Sequence, residues 1–225
     1  NTSALHESDL VMYDHETGSY WFQVLGEAIV GPLTGKRLVL LPSVTTTWGQ
    51  WKEQHPETKV LSRNLGLLSG GLGSPYARDP FVGYDERLNR GQFVFPVTEE
   101  KLDGRLRAGQ KVFAIQVGQS HKAYALPEDS DWVINDEVDG KSIVVIARVE
   151  GPTAAAYVSA IDGRTLTFTL NDGAVLDSET GTTWDDSGRT ISGPMAGAQL
   201  NPVPSRTSFW FSVAGALPGI ELYTP

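Results

Sequence analysis

The sequence predicts a mainly β protein with two internally duplicated β-rich halves, and three observations support this fold class. The pattern Asp-x-Glu-Thr-Gly-x-x-Trp occurs twice, at residues 14–21 and 177–184. Similar glycines, prolines and tryptophans follow both copies at a nearly constant spacing. The residues between the copies form short apolar stretches separated by turn residues, as in antiparallel hairpins, without alternation of strands and helices. Internal similarity of this kind indicates a repeated structural unit.

The two copies stay in register over about fifty residues with a single one-residue gap. The offset is 163 residues up to the signature tryptophan and 162 residues after it. The later matches are Pro42 with Pro204, Trp48 with Trp210 and Pro56 with Pro218. We therefore predict a first repeat at 1–62, a long irregular connection at 63–111, and a second repeat at 112–225 that includes its lead-in strands.

The first repeat begins with a predicted hairpin, formed by residues 10–13 and 20–25 around a tight turn at Gly18. Glycine suits this turn because it adopts positive φ without strain. Residues 36–41 and 59–61 are predicted to be further strands, because they are short apolar runs bounded by turn residues.

Two short helices are predicted, one in each repeat, at about residues 47–55 and 208–217. In the first, the hydroxyl of Thr47 can cap the amino end of the helix. Pro56 then ends it, because proline has no backbone N–H with which to continue a helix.

The chain between the two copies is predicted to form three antiparallel hairpins. Asp162-Gly163 closes the last of them and is a strong hairpin signal, because both residues tolerate positive φ. The predicted strand pairs are 112–117 with 121–125, 132–138 with 142–149, and 153–161 with 164–170.

The composition excludes several kinds of chemistry. The chain has no cysteine, so it has no disulfide, thiolate metal site or cysteine nucleophile. A net charge of −9 argues against a nucleic-acid partner, which needs a basic stripe. No apolar run approaches the length of a membrane span. The four histidines lack the spacing of a metal motif, and we predict neither a metal nor another cofactor.

The repeated signature offers a pair of carboxylates and a turn glycine in each copy. The carboxylates could be metal ligands or an acid–base pair, or the aspartates could cap the hairpin turns. We favour the structural role, because duplicated residues usually preserve the fold. These residues are Asp14, Glu16 and Gly18 in the first copy and Asp177, Glu179 and Gly181 in the second.

Four tryptophans also recur, as one pair in each repeat. They could form a platform on which a ligand stacks, or they could anchor the core with their large apolar rings. We favour core anchors. The pairs are Trp21 with Trp48 and Trp184 with Trp210.

The best candidate for a ligand- or partner-binding site is the loop at residues 64–93, which is rich in glycine and proline. Loops of this length are usually functional or disordered, and the aromatic residues in this one argue for order. The candidate residues are Arg78, Asp79, Tyr84 and Asp85. The alternative, which we favour, is that an Arg–Asp pair only pins the loop.

Five short motifs along the chain carry a resemblance to a known family. They are Ser-Asp-Leu-Val-Met-Tyr-Asp at 8–14, Gly-Glu-Ala-Ile at 26–29, Arg-Asp-Pro at 78–80, Lys-Ala-Tyr at 122–124 and Asp-Gly-Arg-Thr-Leu-Thr-Phe at 162–168. Together they resemble DUF3179, a family of bacterial and archaeal proteins of unknown function. The resemblance covers nearly the whole chain.

The resemblance implies a secreted or membrane-anchored protein, and therefore an extracytoplasmic location. Many members carry a Cys-Pro-x-Cys stretch ahead of the segment that begins here. Residues 147–154, where such a stretch would align in the second repeat, contain no cysteine. The resemblance thus implies a shared fold and export, and no thiol chemistry is carried over.

We expect a non-enzymatic extracytoplasmic binding or accessory subunit of a larger assembly. The alternative is an enzyme, a hydrolase or a redox protein, with a site in the 64–93 loop or in a missing N-terminal segment. The first repeat lacks the lead-in strands of the second, so residues 10–13 should form an unpaired edge strand. We expect a protein partner, or self-association with a second copy, to cover this N-terminal edge.

Overall fold

The computed structural model describes residues 4–61, 81–150 and 153–224, and these are mainly β, as the sequence predicts. Three helices of six or seven residues lie among them, together with a short 3-10 turn at Glu99–Lys101. In chain order the elements are β1 (Leu5–His6), β2 (Asp9–Tyr13), β3 (Tyr20–Phe22), β4 (Glu27–Val30), α1 (Trp48–Gln54), α2 (Tyr84–Asn89), β5 (Lys111–Val117), β6 (Ser120–Ala125), β7 (Trp132–Val138), β8 (Lys141–Arg148), β9 (Thr153–Val158), β10 (Ala160–Ile161), β11 (Arg164–Thr165), β12 (Phe168–Asn171), β13 (Ala174–Asp177), β14 (Thr183–Trp184), β15 (Thr190–Ser192), β16 (Asn201–Pro202), β17 (Ser205–Phe209), α3 (Trp210–Ala216) and β18 (Glu221–Leu222).

Two four-stranded sheets form the centre of the protein. One has the order β16-β9-β8-β7 and the other the order β17-β5-β6-β18. The strand pairs within them are antiparallel, apart from β18, which runs parallel to β6. The inner faces of the two sheets share a core that includes Phe113, Tyr124, Ile143 and Val145. Side chains from facing sheets interdigitate in this way to exclude water.

Strand β8 is apolar on both faces because a core lies on each side of it. Ile143 and Val145 belong to the core just described, whereas Val144 and Ile146 belong to a second core with Trp184. Successive residues of a strand face opposite sides of the sheet, so an unbroken apolar run is expected where both sides are buried. The sheet β12-β13-β14-β15 supplies the other wall of the second core.

The two signature copies lie in two separate four-stranded sheets, β1-β2-β3-β4 and β12-β13-β14-β15. In both sheets a bulge occurs at the step that leads into the signature tryptophan. The register at the tryptophans is the same: Trp21 lies opposite Met12 and Ala28, and Trp184 lies opposite Val175 and Thr190. Internal duplication stays a prediction, which this shared register supports.

The two helices expected from the sequence are present. Helix α1 follows Thr47, whose side chain accepts a hydrogen bond from Gln50 N, while the Gln50 side chain accepts one from Thr47 N. This reciprocal arrangement is a capping box, which satisfies two backbone donors that a helix start leaves free. Helix α3 begins at Trp210, two residues later than predicted, because the residues before it belong to β17.

Two of the predicted strands are wrong. Residues 36–41 and 59–61 form no strand. The first segment has a single bridge, between Arg37 and Glu27. A strand needs a neighbour with free backbone groups, and none of the described strands forms a ladder with either segment.

The predicted unpaired edge at residues 10–13 is also wrong. Strand β1 pairs with β2, and Val11 N donates a hydrogen bond to Ala4 O at 3.1 Å. The short N-terminal segment can reach because Glu7 and Ser8 both have positive φ, which folds the chain back in a two-residue turn. Strand β1 and Ala4 therefore cover Asp9, Leu10 and Val11 from within the chain.

Candidate functional site

The first signature loop uses the carboxylate of Asp14 to hold its own turn. Asp14 Oδ1 accepts a hydrogen bond from Thr17 N at 2.6 Å, and Oδ2 accepts one from Trp21 Nε1 at 2.8 Å. The backbone N–H of Thr17 and the indole of Trp21 favour the ionised carboxyl and lower the pKa of Asp14 to about 2. Gly18 closes the turn with a φ of 73°, and Glu16 is exposed.

The second signature loop has the same hydrogen bonds and is more deeply buried. Asp177 accepts bonds from Thr180 N at 2.6 Å and from Trp184 Nε1 at 2.9 Å. Burial opposes ionisation of Asp177, but the bonds from Trp184 and Thr180 outweigh it and lower the pKa of this carboxyl. Gly181 has a φ of 69°, and Glu179 accepts a backbone N–H at 2.8 Å from the residue before β12.

Both aspartates are thus engaged by the turns and tryptophans of their own loops. Over residues 4–61, 81–150 and 153–224, no group of three His, Asp or Glu side chains is arranged to hold a metal ion. The geometry gives the signature a clear structural role.

The lowered pKa values of Asp14 and Asp177 lead us to expect a loss of stability in acid. A carboxyl whose folded-state pKa is below its ordinary value of 3.8 stabilises the fold above that pH, and the contribution disappears as the pH falls towards about 2. The free energy of unfolding, measured by urea titration, should therefore fall between about pH 4 and about pH 2. Replacing both aspartates with asparagine should flatten this dependence. A wild-type protein of constant stability over that interval would contradict the expectation.

Of the four candidate residues of the long loop, two lie within the described part of the chain. Arg78 and Asp79 lie outside the described residues. Tyr84 and Asp85 begin α2. The Tyr84 ring packs edge-on against Phe209 with 5.7 Å between ring centroids, and Asp85 Oδ1 accepts the backbone N–H of the next residue at 2.9 Å. These contacts fix the start of α2, and the enzymatic alternative stays a prediction.

The four repeated tryptophans differ in burial. Trp21, Trp184 and Trp210 lie in the core, whereas 52% of Trp48 is exposed. The interpretation as a core anchor is therefore wrong for Trp48. The reason lies in what covers each of the two short helices.

Helix α3 is buried against the hairpin formed by β5 and β6. Trp210, which is 0% exposed, packs with Val112, Ala114 and Ala123 of that hairpin. The indole Nε1 of Trp210 also donates a hydrogen bond to Asp103 O at 2.8 Å. The small side chains of the hairpin let the helix approach closely, so the apolar side chains of α3 are buried.

Helix α1 has no buried residue. The Trp51 ring lies 4.0 Å from the His55 ring, and Trp51 Nε1 donates a hydrogen bond to Thr58 Oγ1 at 2.9 Å. These contacts are local to the helix and the turn after it. None of the described strands occupies against α1 the place that β5 and β6 occupy against α3.

Exposed apolar side chains are concentrated in and around α1. We call this set the 41–61 surface, and it consists of Leu41, Val44, Trp48, Val60 and Leu61. Leu41 is 71% exposed and Leu61 is 93% exposed. Single exposed apolar residues are normal, and larger exposed apolar patches are typical of sites that contact another molecule.

Four of the five counterparts of these residues in the second half are covered by the β5–β6 hairpin or by the central core, and the fifth, Arg206, which aligns with Val44, is half-buried. Leu222, the counterpart of Val60, pairs with β6. Tyr223, the counterpart of Leu61, stacks on a tyrosine of β6 with 5.4 Å between ring centroids. The counterpart of Leu41 is Val203, which is 4% exposed. The first half therefore exposes what the second half buries.

The two halves touch each other through equivalent residues. Pro42 forms an antiparallel bridge with Pro204. Ser43 Oγ donates a hydrogen bond to Ser205 O at 2.7 Å, and Ser205 Oγ donates one to Ser43 O at 2.9 Å. Self-complementary contacts of this kind occur where equivalent units meet about a two-fold axis. They justify comparing the two halves residue by residue.

The sequence interpretation did not single out the exposed apolar residues of the 41–61 surface. Comparing the exposure of the aligned residues in the two halves identifies this surface.

The fold and this surface together define a β-rich protein with one helix covered and its counterpart uncovered. A family model described as "Protein of unknown function (DUF3179)" matches residues 1–218, so the chain belongs to that family. The search of curated proteins and the search of solved structures each found no match. Among the described residues, no helix is long and apolar enough to cross a membrane.

Proposed function

We propose that the protein is a non-enzymatic extracytoplasmic subunit that binds a partner protein through the 41–61 surface within a larger assembly. The observation that carries the proposal is the contrast between the two helices. Trp48 is 52% exposed, whereas its counterpart Trp210 is 0% exposed. The extracytoplasmic location rests on the family resemblance.

The second half indicates what kind of partner fits. There, an antiparallel hairpin with small apolar residues covers the helix, and its strand β5 forms five residue pairs with β17. Among the described residues, the counterpart of β17, residues 43–47, forms one bridge, between Thr45 and Ala154, and no ladder. The first half therefore offers the exposed Trp48 of α1 and a stretch of backbone that none of the described strands pairs with as β5 pairs with β17. A partner hairpin that adds a strand and covers the helix satisfies both.

A second copy of this chain does not supply that hairpin. Its own β5 and β6 already pair with β17 and β18 and already cover α3. Releasing β5 and β6 would expose Trp210 in order to cover the 41–61 surface of the other copy, with no net gain in buried apolar surface. We therefore propose a partner protein, rather than a second copy, as the source of the hairpin.

The expected strength of this interaction follows from the size of the surface. Fully burying one large apolar side chain contributes about 1.5–3 kcal/mol. Five such side chains together approach the entropic cost of association, which is about 4–15 kcal/mol. Apolar burial alone thus gives modest affinity, and the backbone hydrogen bonds of the added strand supply the remainder.

A matched pair of variants tests the proposal in the native host. Trp48→Glu places a charge on the 41–61 surface, and Ile191→Glu places one on an exposed apolar residue elsewhere. The tagged wild-type chain should purify in a particle heavier than the monomer, Trp48→Glu should purify as the monomer, and Ile191→Glu should resemble the wild type. A wild-type monomer, or a homodimer that persists in Trp48→Glu, would contradict the proposal.

A further inference from the structure

A cleft of about 510 Å³ lies apart from the 41–61 surface, on the outer side of the sheet that contains β17, β5 and β6. Residues 37–40 of the first half form one wall, and the β5–β6 turn and residues 202–206 form the other. Its volume is in the range of small-molecule sites, which are mostly apolar with a few convergent polar groups. The cleft fits that description.

The ionisable groups of the cleft are all basic. Its lining residues include Arg37, His121, Lys141 and Arg206, and no carboxylate is among them. This concentration of positive charge occurs in a chain whose net charge is −9. A cluster of basic groups in an acidic chain focuses a positive potential inside a cleft with apolar walls.

Strand register brings two of these groups together. Arg206 lies opposite Ala114, and His121 lies opposite Gln116. Ala114 and Gln116 are two residues apart on β5, so all four side chains point to the same face of the sheet. The half-buried Arg206 and His121 therefore lie on the same face of the sheet, and both line the cleft with residues 37–40.

Arg206 is half-buried without a counter-charge. Among the described residues, its guanidinium forms neither an ion pair nor a hydrogen bond, whereas Arg37 pairs with Glu27 at 2.7 Å. Burial lowers the pKa of Arg206. Burial also lowers the pKa of His121, and the nearby Arg206 and Arg37 lower it further. The cleft thus holds positive charge that nothing in its lining neutralises, and burying such charge is unfavourable unless a partner compensates.

We propose that this cleft binds a small organic carboxylate, with the carboxylate against Arg206 and His121 and an apolar body against the leucines of the walls. The planar guanidinium matches a carboxylate through two parallel N–H···O bonds. The apolar walls include Leu25, Leu40 and Leu217, which favour an organic body over a fully hydrated inorganic ion. The carboxylate could belong to a free acid or to the C-terminus of a peptide.

The binding test uses simple probes on the whole chain. Hexanoate should bind with a dissociation constant of about 1 mM or tighter by titration calorimetry, and hexanol and inorganic phosphate should bind more weakly. Acetyl-Ala-Ala-Leu with a free C-terminus, compared with its amide, shows whether a peptide carboxylate is accepted. Preference for either carboxylate over its neutral analogue supports the proposal and identifies the source. Failure of both to bind at about 10 mM, or tighter binding of phosphate than of hexanoate, would overturn it.

Variants of Arg206 provide the second part of the test. Arg206→Gln should weaken hexanoate binding about tenfold or more, because a charge-assisted pair is lost. Arg206→Lys should retain part of the affinity, and Arg164→Gln, the same charge change on exposed β11, should retain all of it. Arg206→Gln should also fold with undiminished stability, since it removes an uncompensated charge. Equal affinity in Arg206→Gln and wild type would refute the assignment.

The imidazole of His121 offers an independent readout by NMR. The charged groups around it are Arg37, Lys141 and Arg206, with Glu27 paired to Arg37 and Asp139 beside the β5–β6 turn. A bound carboxylate should raise the pKa of His121, because it offsets the two arginines that lower it. The exposed His15 should not respond. A His121 pKa that saturating hexanoate leaves unchanged would place the anion elsewhere.

Discussion

Trp210→Ala should lower the free energy of unfolding by about 3–5 kcal/mol, whereas Trp48→Ala should lower it by less than about 1 kcal/mol. The two tryptophans occupy equivalent positions in the two halves, but Trp210 is 0% exposed and Trp48 is 52% exposed. Removing the buried indole leaves a cavity between α3 and the β5–β6 hairpin and also removes its hydrogen bond to Asp103 O. Urea unfolding of the isolated chain, followed by circular dichroism, measures both changes.

The same pair of variants separates stability from binding. Trp48→Ala should remain folded and yet lose its partner, because its side chain serves the 41–61 surface and not the core. Equal destabilisation by the two substitutions would mean that α1 is packed as tightly as α3. The 41–61 surface would then not be free to bind a partner.

Asp177→Ala should lower the free energy of unfolding by about 2–5 kcal/mol. The substitution leaves the Trp184 indole N–H and the Thr180 backbone N–H without the acceptor that they now share. Asp177 and Trp184 are buried, and each buried donor left unpaired costs about 1–3 kcal/mol.

Two further variants sharpen this prediction. Asp177→Asn keeps one carbonyl acceptor and should recover part of the loss. Asp14→Ala removes the equivalent carboxylate from the more exposed first loop and should destabilise less. A negligible effect of Asp177→Ala on urea unfolding would show that the signature loop does not hold the second half together.

Local sequence signals predicted the local structure well. Thr47 and Pro56 bracket α1 because a cap and a residue without an N–H act within one turn of the chain. Asp162-Gly163 closes a hairpin for the same reason, since the turn depends on the two residues that form it. The predicted pairing of 153–161 with 164–170 is wrong beyond the two residue pairs of β10 and β11, because β9 pairs with β8 and β16, and β12 pairs with β13.

Features that depend on a neighbour far along the chain were harder to predict. Residues 36–41 have the composition of a strand, but a strand also needs a partner that the sequence does not reveal. Trp48 aligns with Trp210, but the residues that follow it in α1 include Lys52, Glu53 and Gln54, whereas those in α3 are small or apolar. The different burial of the two helices therefore has a local signal as well as the presence of β5 and β6 against α3.

The cationic cleft shows the same limit for a binding site. Arg37, His121, Lys141 and Arg206 come from four separate parts of the chain and have no motif spacing. Only the strand register and the contact between the halves bring them together. The sequence analysis chose the 64–93 loop as a candidate site because that loop is unusually rich in glycine and proline. The residues of the cleft lie in stretches of ordinary composition, so no local pattern indicated them.

The most direct test of partner binding at the 41–61 surface is amide hydrogen exchange of the native assembly, compared with the isolated chain. If a partner hairpin covers the first half, exchange at residues 41–61 should slow in the assembly by about tenfold or more, through new backbone hydrogen bonds and lost water access. Exchange at residues 183–192, in β14 and β15 and outside the 41–61 surface, should be the same in both samples. Unchanged exchange at residues 41–61 in the intact assembly would contradict the account.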